Sequence, residues 1–215
     1  MNGKFKKYLE EAIGAENALV AFSAFECPAS VSVRINPYKS CPPPPGRVVP
    51  WAMRGLMLDS RPSFTLDPLF HAGAYYVQDS SSMFVGEVFR RCLESLEIPA
   101  GRPVRVLDLC AAPGGKTTIY STLVGEDGLV VANEYVRSRA NILADNVRKW
   151  GMGNVLVTNN DPSHFSPLGQ WFDVVAVDAP CSGEGMFRKD ANAISEWNMK
   201  NVQECAERQC DILDD

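Results

Sequence analysis

The stretch that decides the fold is VRVLDLCAAPGGKTT, from Val104 to Thr118. Its apolar first part, Val104–Leu109, is typical of a strand buried inside a parallel sheet. Small residues and glycines then predict a turn over Cys110–Gly115, and a helix is predicted to start near Lys116. The segment is therefore predicted to run from strand to turn to helix without interruption.

The turn at Gly114 and Gly115 has the layout of a ligand site. Glycine lets the backbone come close to a bound molecule because no side chain obstructs it. The start of the following helix presents unpaired N–H groups to a polar ligand. An acidic residue, Glu134, follows about 20 positions later at the end of a second apolar strand, where nucleotide folds place a ribose-binding carboxylate. This spacing predicts a site for a cofactor that contains a nucleoside.

Two common nucleotide-binding motifs are absent from this turn. A P-loop needs a glycine five residues before the glycine of its Gly-Lys pair, and Cys110 holds that position. Pro113 inside the turn is a further argument against phosphate cradling. The dinucleotide pattern GxGxxG is also missing, so a hydride-transfer enzyme is not favoured. A cofactor with an adenosine ribose but no pyrophosphate fits better, and S-adenosylmethionine is the candidate.

The composition bounds the class of protein. A chain of 215 residues that is 46% hydrophobic and 22% charged is ordinary for a globular protein of one large or two small domains. No apolar run approaches the ~20 residues of a membrane span, and the N-terminus lacks the apolar core of a signal peptide. We therefore expect a cytoplasmic protein without a membrane partner.

The charge and the cysteines narrow the possibilities further. A net charge of −5 does not suit a protein whose whole surface embraces nucleic acid, although a local basic groove is compatible with it. Seven cysteines, an odd number without CxxC or CxxH spacing, argue against a zinc site and against a disulfide framework. We expect reduced thiols and no metal.

Residues 1–70 are predicted to form a small α+β domain. Apolar residues at helical spacing predict helices, and alternating β-branched residues predict a strand. The predicted elements are a helix over Phe5–Ile13, a short helix over Leu19–Phe25, a strand over Ser30–Asn36, a stiff proline loop over Cys41–Gly46, and an extended Val48–Leu58 anchored by Trp51.

Residues 71–215 are predicted to form a second domain in which strands and helices alternate. A helix capped by Asp79 or Ser80 should run to about Leu96, with Phe84, Val88 and Phe89 on its inner face. The predicted strands are 104–109, 128–133, 154–158 and 173–178, and the predicted helices are 116–124, 137–150 and 191–213. This order predicts an α/β fold with a doubly wound parallel sheet.

A second group of polar residues follows the last predicted strand, in DVVAVDAPCSGEGMFRK from Asp173 to Lys189. Polar residues at the carboxyl end of a parallel strand lie where open α/β sheets bind ligands. Asp178 and Cys181 are therefore expected to face the same crevice as the opening turn. Alternatively, Cys181 is a small buried filler and Asp178 caps the next turn. The combination of Asp, Pro, Cys and Gly at one strand end favours function.

LDLCAAPGGKTT together with DAPCSGEGMFRK resembles the RNA cytosine-5 methyltransferase family, and within it the bacterial branch that modifies 16S ribosomal RNA. SVRINP, FTLDPLFHAGAYYVQDSSSMF and VVANEYVRSRANIL also resemble that branch, so the resemblance runs from about Val31 onward. It implies a Rossmann-like class I methyltransferase core, S-adenosylmethionine as cofactor, and 16S ribosomal RNA or the small ribosomal subunit as partner. The first domain resembles the family's RNA-contacting N-terminal domain.

The resemblance also implies roles for individual residues. Glu134 would bind the ribose hydroxyls of the cofactor, and Asp161 would lie by its adenine. Asp178 would lie between the cofactor and the target base, and with Lys116 it would orient or polarise the cytosine. Cys181 matches the family's cysteine that helps release the methylated product. The cofactor itself would be held by Cys110, Ala111, Ala112, Pro113, Gly114, Gly115 and Lys116.

Methylation of carbon 5 of cytosine needs one further group, an attacking thiolate. Carbon 5 of cytosine is a poor nucleophile until a thiolate adds to carbon 6, and a base must then remove the proton from carbon 5. An acid such as Asp178 would stabilise the adduct at N3, and for that role burial should raise its pKa. The target base must also be flipped out of its stack to reach the pocket.

The attacking cysteine of the family lies in a later Thr-Cys-Ser/Thr motif, and no cysteine of this chain has that context. Cys205 and Cys210 fall in the last predicted helix. The strands expected after the fourth are also missing, which would leave a long apolar edge around Ala176. We therefore expect the chain to be the N-terminal part of a longer, monomeric enzyme and to be inactive alone.

Two other functions stay open on the sequence. A non-catalytic RNA-binding or assembly protein could keep the fold without the nucleophile. A methyltransferase of the same fold could act on tRNA, on protein or on a small molecule. Arg188 and Lys189 flank the expected base pocket and could meet RNA phosphates.

Overall fold

The structure, a computed structural model, describes residues 3–214. The described residues form two compact units, one of residues 30–178 and one that joins residues 3–29 to residues 179–214. The first unit holds an antiparallel and a parallel β-sheet. The second is built from helices. The division into residues 1–70 and 71–215 that the sequence predicts is of another kind and stays a prediction.

The helices are α1 Gly3–Ile13, α2 Ala15–Glu26, α3 Pro68–His71, α4 Ser80–Met83, α5 Val85–Ser95, α6 Gly115–Val124, α7 Arg137–Trp150, α8 Ala191–Glu196 and α9 Met199–Asp214. The strands are β1 Val31–Ile35, β2 Arg47–Val48, β3 Gly55–Leu58, β4 Tyr75–Val77, β5 Arg105–Asp108, β6 Leu129–Asn133, β7 Val155–Thr158 and β8 Val174–Ala176. Short 3-10 turns cover Phe64–Leu66, Pro162–Trp171 and Glu184–Met186. Among residues 3–214, no helix is long and apolar enough to span a membrane.

The antiparallel sheet has the strand order β2-β3-β1-β4. Its central strand, β1, is the strand predicted from the alternating SVSVRIN, and Val33 and Ile35 are buried in its core with Phe64 and Tyr75. The segment 48–58, predicted to be extended, instead makes a hairpin in which Val48 pairs with Leu56.

Buried polar side chains join this sheet to the residues that follow position 100. Asn36 donates to Trp150 O at 2.8 Å, and Arg34 donates to Gly115 O at 3.2 Å. The guanidinium of Arg34 also lies 4.3 Å from the centre of the Trp150 ring. Buried polar groups must be satisfied by partners, so these contacts make the antiparallel sheet part of the same unit as the parallel sheet.

The parallel sheet has the order β7-β6-β5-β8, and each neighbouring pair runs parallel. Apolar runs that end in a polar residue produce these strands, as in Arg105–Asp108 and Leu129–Asn133. The chain moves outward from β5 through β6 to β7 and then returns to the other side of β5 as β8. Ligands bind at the carboxyl ends of the strands where the order reverses in this way. The predicted α/β fold is confirmed.

The helices α5, α6 and α7 all pack on one face of this sheet. Val130 and Ala132 point to the same face because side chains alternate along a strand. Val130 packs with Phe89 of α5 and Tyr120 of α6, whereas Ala132 packs with Leu143 of α7. On the opposite face, the side chains of Leu156 and Val175 are 54% and 55% exposed.

The strand β8 forms one edge of the parallel sheet as described over residues 3–214. It spans only Val174–Ala176, so the long apolar edge predicted around Ala176 is in fact a short one. Short edge strands offer little backbone for unwanted pairing with another chain.

The predicted helix from residue 79 to Leu96 is interrupted. Its first turn is α4, and α5 starts again at Val85 after Phe84. Phe89 is buried as predicted, but Phe84 and Val88 are each 52% exposed, so their placement on the inner face was wrong. Trp51 is also not a buried anchor, because 42% of it is exposed.

The second unit has an aromatic core. The ring of Phe5 meets those of Phe187 and Trp197 edge-on at 4.8 and 5.1 Å between centroids. Trp197 has extended backbone angles and separates α8 from α9, so the last helix, predicted as continuous over 191–213, is two helices. The buried Trp197 side chain explains the break, since it packs against α1 rather than continuing the helix.

Candidate active site

The turn between β5 and α6 follows an interior strand of the parallel sheet. The strand ends at Asp108, and α6 begins at Gly115 after Gly114, whose φ of 104° lies in the left-handed region. A Cβ at Gly114 would stand 3.0 Å from Leu143 Cδ1. This position therefore requires glycine both for its backbone conformation and for its packing against α7.

Side chains from distant parts of the chain hold the carbonyl groups of this turn. Pro113 O accepts hydrogen bonds from Asn146 Nδ2 at 2.8 Å and from Tyr76 OH at 3.2 Å. Gly115 O accepts from Arg34 Nη2 at 3.2 Å. The first N–H groups of a helix have no partner within it. With its carbonyls held from outside, the turn therefore offers mainly N–H groups to a ligand.

Glu134 lies just beyond the end of β6 and is only 3% exposed. One carboxylate oxygen accepts from Val136 N at 3.0 Å, and the other lies 3.4 Å from Arg139 Nη1. The same guanidinium donates to Ala112 O at 2.9 Å. Arg139, in the first turn of α7, thus ties the buried carboxylate to the turn.

Asn133, the last residue of β6, is fully buried and joins three strand ends. Its amide nitrogen donates to Leu109 O at 3.3 Å and to Asn160 O at 2.9 Å, and its oxygen accepts from Thr158 Oγ1 at 2.9 Å. Sequence reasoning missed this residue. The available signal was an amide at the end of the otherwise apolar strand LVVAN.

Two titratable groups of the turn region have raised pKa values. Burial raises the pKa of Asp108 to about 7, even though a hydrogen bond from Thr117 Oγ1 at 2.6 Å stabilises its carboxylate. Burial and the charge of Glu134 raise the pKa of the Cys110 thiol to about 11. A thiol with such a pKa is not a nucleophile at neutral pH, so Cys110 is suited to lining the site and not to attack.

Asp178 and Lys116 form an ion pair. Lys116 belongs to the first turn of α6, and Asp178 follows β8, so the pair joins the carboxyl ends of two neighbouring strands. Of the two residues expected to face the crevice of the opening turn, Asp178 is brought to that turn by this contact. The predicted burial of Asp178 is wrong, because its side chain is 58% exposed.

Asp161 lies three residues after β7 and caps the 3-10 turn that starts at Pro162. Its carboxylate accepts from Ser163 Oγ at 2.7 Å and Ser163 N at 3.1 Å, and these hydrogen bonds lower its pKa. The capping role orients one carboxylate oxygen within the turn.

Cys181 lies in the second unit and its side chain is exposed. The alternative in which it is a buried filler is therefore wrong. The loop that follows is held by Glu184, which accepts from Ser182 Oγ at 2.6 Å and from Trp197 Nε1 at 2.9 Å. Burial acts to raise the pKa of Glu184, but these hydrogen bonds outweigh it and leave the pKa lowered. Arg188 and Lys189 are exposed on the same unit.

Family models match both halves of the chain. Residues 99–215 match the family described as 16S rRNA methyltransferase RsmB/F, and residues 1–80 match the N-terminal domain of 16S rRNA methyltransferase RsmF. The chain belongs to the RsmB/F family. The family resemblance drawn from the two sequence motifs is thereby confirmed.

Individual relatives agree with this assignment. The chain is 38% identical over 167 residues to the ribosomal RNA small subunit methyltransferase F of Erwinia tasmaniensis, covering 75% of this chain and 33% of that protein. It is 32% identical over 232 residues to the protein of the same name from Enterobacter sp. strain 638, covering 98% of this chain and 46% of that one. The chain thus spans a third to a half of the length of these RsmF relatives.

The fold agrees as well. A crystal structure of a methyltransferase homologue from Pyrococcus horikoshii superposes with a TM-score of 0.70 at 27% identity, covering 91% of this chain and 64% of that one. The RsmB/F chain therefore has the Rossmann-like core of a methyltransferase, with the β5–α6 turn at the carboxyl end of a strand inside its parallel sheet. Within residues 3–214, no group of three or more His, Cys, Asp or Glu side chains is placed to hold a metal ion.

Proposed function

We propose that this chain supplies the cofactor-binding part of an enzyme that methylates carbon 5 of a cytosine in 16S ribosomal RNA, using S-adenosylmethionine. The observation that carries the proposal is the glycine turn at the start of α6, with the buried carboxylate of Glu134 beside it, in a chain of the RsmB/F family. We also propose that the enzyme acts in the cytoplasm and as a monomer.

The residues of the turn fit this cofactor. The N–H groups at the start of α6 suit the carboxylate of its methionine part. Glu134, held by Val136 and Arg139, supplies the acceptor that ribose hydroxyls require. Asp161 would lie by the adenine, and the other contacts would come from Cys110, Ala111, Ala112, Pro113, Gly114, Gly115 and Lys116. When bound, S-adenosylmethionine supplies an electrophilic methyl group.

Asp178 and Lys116 would position the cytosine. Because the carboxylate of Asp178 pairs with the ammonium of Lys116, we propose that it accepts a hydrogen bond from the exocyclic amino group of the base. Its exposure supports this reading over that of a buried proton donor at N3. Arg188 and Lys189, which follow Asp178 by about ten residues, would contact phosphates of the RNA.

Cys181 would assist the release of the methylated base. The attack on carbon 6 requires a second thiolate in a Thr-Cys context, which none of the seven cysteines of this chain has. We therefore propose that a thiolate other than these seven makes the attack. The half-buried thiol of Cys110, with its pKa raised to about 11, is not a substitute for it.

Methyl transfer by the full-length protein tests the proposal. The protein is incubated with radiolabelled S-adenosylmethionine in three separate reactions, which contain 16S ribosomal RNA, tRNA or a protein mixture as the acceptor. We expect label in the 16S RNA, recovered as 5-methylcytidine after digestion to nucleosides. Label in protein alone would overturn the proposed substrate class. Binding of RNA without any transfer would favour a non-catalytic RNA-binding protein.

A further inference from the structure

A second pocket lies away from the cofactor turn, within the unit of residues 30–178. It has a volume of about 520 Å³ and is bordered by β1, the β2–β3 hairpin, α5 and α6. Its floor is apolar and includes Ile35, Ala52, Met83 and Leu123. Small-molecule sites in proteins are concave, largely apolar and of about 300–1,000 Å³, so this pocket has the size of one.

Trp51 stands at the rim of this pocket with 42% of its surface exposed. Its indole nitrogen donates to Ser80 O at 2.7 Å, which fixes the orientation of the ring. Exposed tryptophans of fixed orientation are suited to stacking against a flat ligand, because little conformational freedom is lost on binding. The hairpin thus presents an aromatic face instead of burying it.

Arg54 stands on the same rim in a strained conformation. Its φ of 61° lies in the left-handed region, where a residue other than glycine, asparagine or aspartate is uncommon. The carbonyl oxygen of Arg54 accepts from Ile35 N at 3.0 Å, which holds the strained backbone against β1. Strain of this kind clusters at functional sites. A glycine would relieve it, yet the position keeps a long cationic side chain.

The charges of the lining residues favour an anionic ligand. Arg34, Arg54 and Arg90 line the pocket together with a single carboxylate, that of Glu87, in a chain whose net charge is −5. Arg90 is paired with Glu87 and Glu94, and Arg34 is buried and hydrogen-bonded to Gln78. The exposed Arg54 is therefore the guanidinium best placed to meet a phosphate.

We propose that this pocket holds one unpaired nucleotide of the substrate RNA, with its base stacked on Trp51 and its phosphate paired with Arg54. Proteins bind single-stranded RNA mainly through aromatic rings and arginines, because every base has a π-face and every nucleotide carries a negative charge. The inference rests on the proposed function for the class of substrate. It adds an RNA subsite outside the cofactor turn.

Binding of a labelled single-stranded oligoribonucleotide, measured by fluorescence anisotropy, tests the role of Trp51. The Trp51→Ala variant should bind about tenfold more weakly, which is a typical loss for one base–aromatic stack. Trp51→Phe keeps a stacking ring and should retain most of the affinity. The matched control is Trp171→Ala: Trp171 is 38% exposed and lies against Arg105, outside the pocket, and its loss should leave binding unchanged.

Two variants of Arg54 separate binding from folding. For Arg54→Gln, the slope of log Kd against the logarithm of the salt concentration should be smaller by about 0.7, which is the value for one phosphate contact to a single strand. Arg54→Gly relieves the left-handed strain, so its Tm should be at least that of the unaltered chain while its RNA affinity falls. If Arg54→Gly binds RNA more weakly but keeps its Tm, the loss of affinity cannot be explained by misfolding.

The results distinguish this inference from the proposed function. If the unaltered chain binds RNA and both Trp51→Ala and Arg54→Gly bind it equally well, the pocket assignment is overturned and the substrate class stands. If the unaltered chain binds S-adenosylmethionine but no RNA, the pocket assignment is also overturned, and the substrate class is then decided by the methyl-transfer experiment described above. Loss of binding in the Trp171→Ala control to the same extent as in Trp51→Ala would also contradict the pocket, since the effect would then not be local.

Discussion

Glu134 is the residue on which cofactor specificity depends in this account. It is almost completely buried, yet its carboxylate is held by one backbone N–H and one guanidinium at the rim of the turn. A buried carboxylate is retained only where it has partners. Its position after β6 leaves it able to accept from the two hydroxyls of a ribose.

Replacing Glu134 with alanine should weaken S-adenosylmethionine binding at least about tenfold, because hydrogen bonds to a charged group contribute about 1.5–3 kcal/mol. Isothermal titration calorimetry measures this directly. Glu126→Ala is the control, since Glu126 is exposed in the turn before β6. Unchanged affinity in Glu134→Ala would remove Glu134 from the site.

Asp108 makes stability depend on pH. Burial raises its pKa from 3.8 to about 7, so between these values the folded chain keeps a proton that the unfolded chain has released. The free energy of unfolding contributed by this group is therefore largest below the unfolded pKa and falls as the pH rises through the folded one.

The Asp108→Asn variant should lose this dependence. Relative to the unaltered chain, it should gain stability as the pH rises from about 4 to about 7 and change little above that range. Urea denaturation at a series of pH values measures the difference. Asp127→Asn, at an exposed position, should show no such trend. A constant difference between Asp108→Asn and the unaltered chain would show that Asp108 does not titrate in this window.

At the scale of elements, the conformation of the β5–α6 turn depends on Gly114 more than on the residues beside it. Gly114→Ala forces a side chain into the left-handed region, at about 1–2 kcal/mol, and places Cβ 3.0 Å from Leu143 Cδ1. We expect a lower Tm and weaker cofactor binding, both measurable on the same preparation.

Gly153→Ala provides the matched control for Gly114→Ala. Gly153 has no heavy atom within 4 Å of an ideal Cβ among the described residues, and its φ is not positive. Its substitution should leave Tm and affinity close to those of the unaltered chain. Equal losses at both positions would contradict the special role of Gly114.

Much of the parallel sheet could be predicted from the sequence. Apolar runs that end in Asp108 and Asn133 show where strands stop, and glycines show where the backbone turns. The interrupted helices could not be predicted in this way. The break at Phe84 and the break at Trp197 depend on side chains that pack, or fail to pack, against residues far away in the sequence.

The candidate site likewise contains some residues that the sequence predicted and others that it did not. The turn, Glu134 and the strand end at Asp178 follow from local sequence patterns, whereas the ion pair between Asp178 and Lys116 was not predicted. The carbonyl partners Tyr76 and Asn146 do not follow from such patterns, because they come from elements about 40 and 30 residues away that only the fold brings together. The exposure of Asp178 was likewise not predictable, since it depends on what covers β8.

At the scale of the whole molecule, the parallel sheet is covered by α5, α6 and α7 on one face, while Leu156 and Val175 are exposed on the other. The chain spans a third to a half of its RsmF relatives. The turn, the carboxylate and the ion pair of the proposed cofactor site nevertheless all lie within the unit of residues 30–178. Cofactor binding should therefore be a property of this chain, even where methyl transfer is not.

Calorimetric titration of the chain with S-adenosylmethionine tests the central claim most directly, with ATP and NAD titrated in parallel. The absent P-loop and GxGxxG glycines and the buried Glu134 predict saturable binding of S-adenosylmethionine at one site and no binding of the two phosphate-bearing nucleotides. Binding of ATP or NAD in place of S-adenosylmethionine, or no heat with any of the three, would contradict the account.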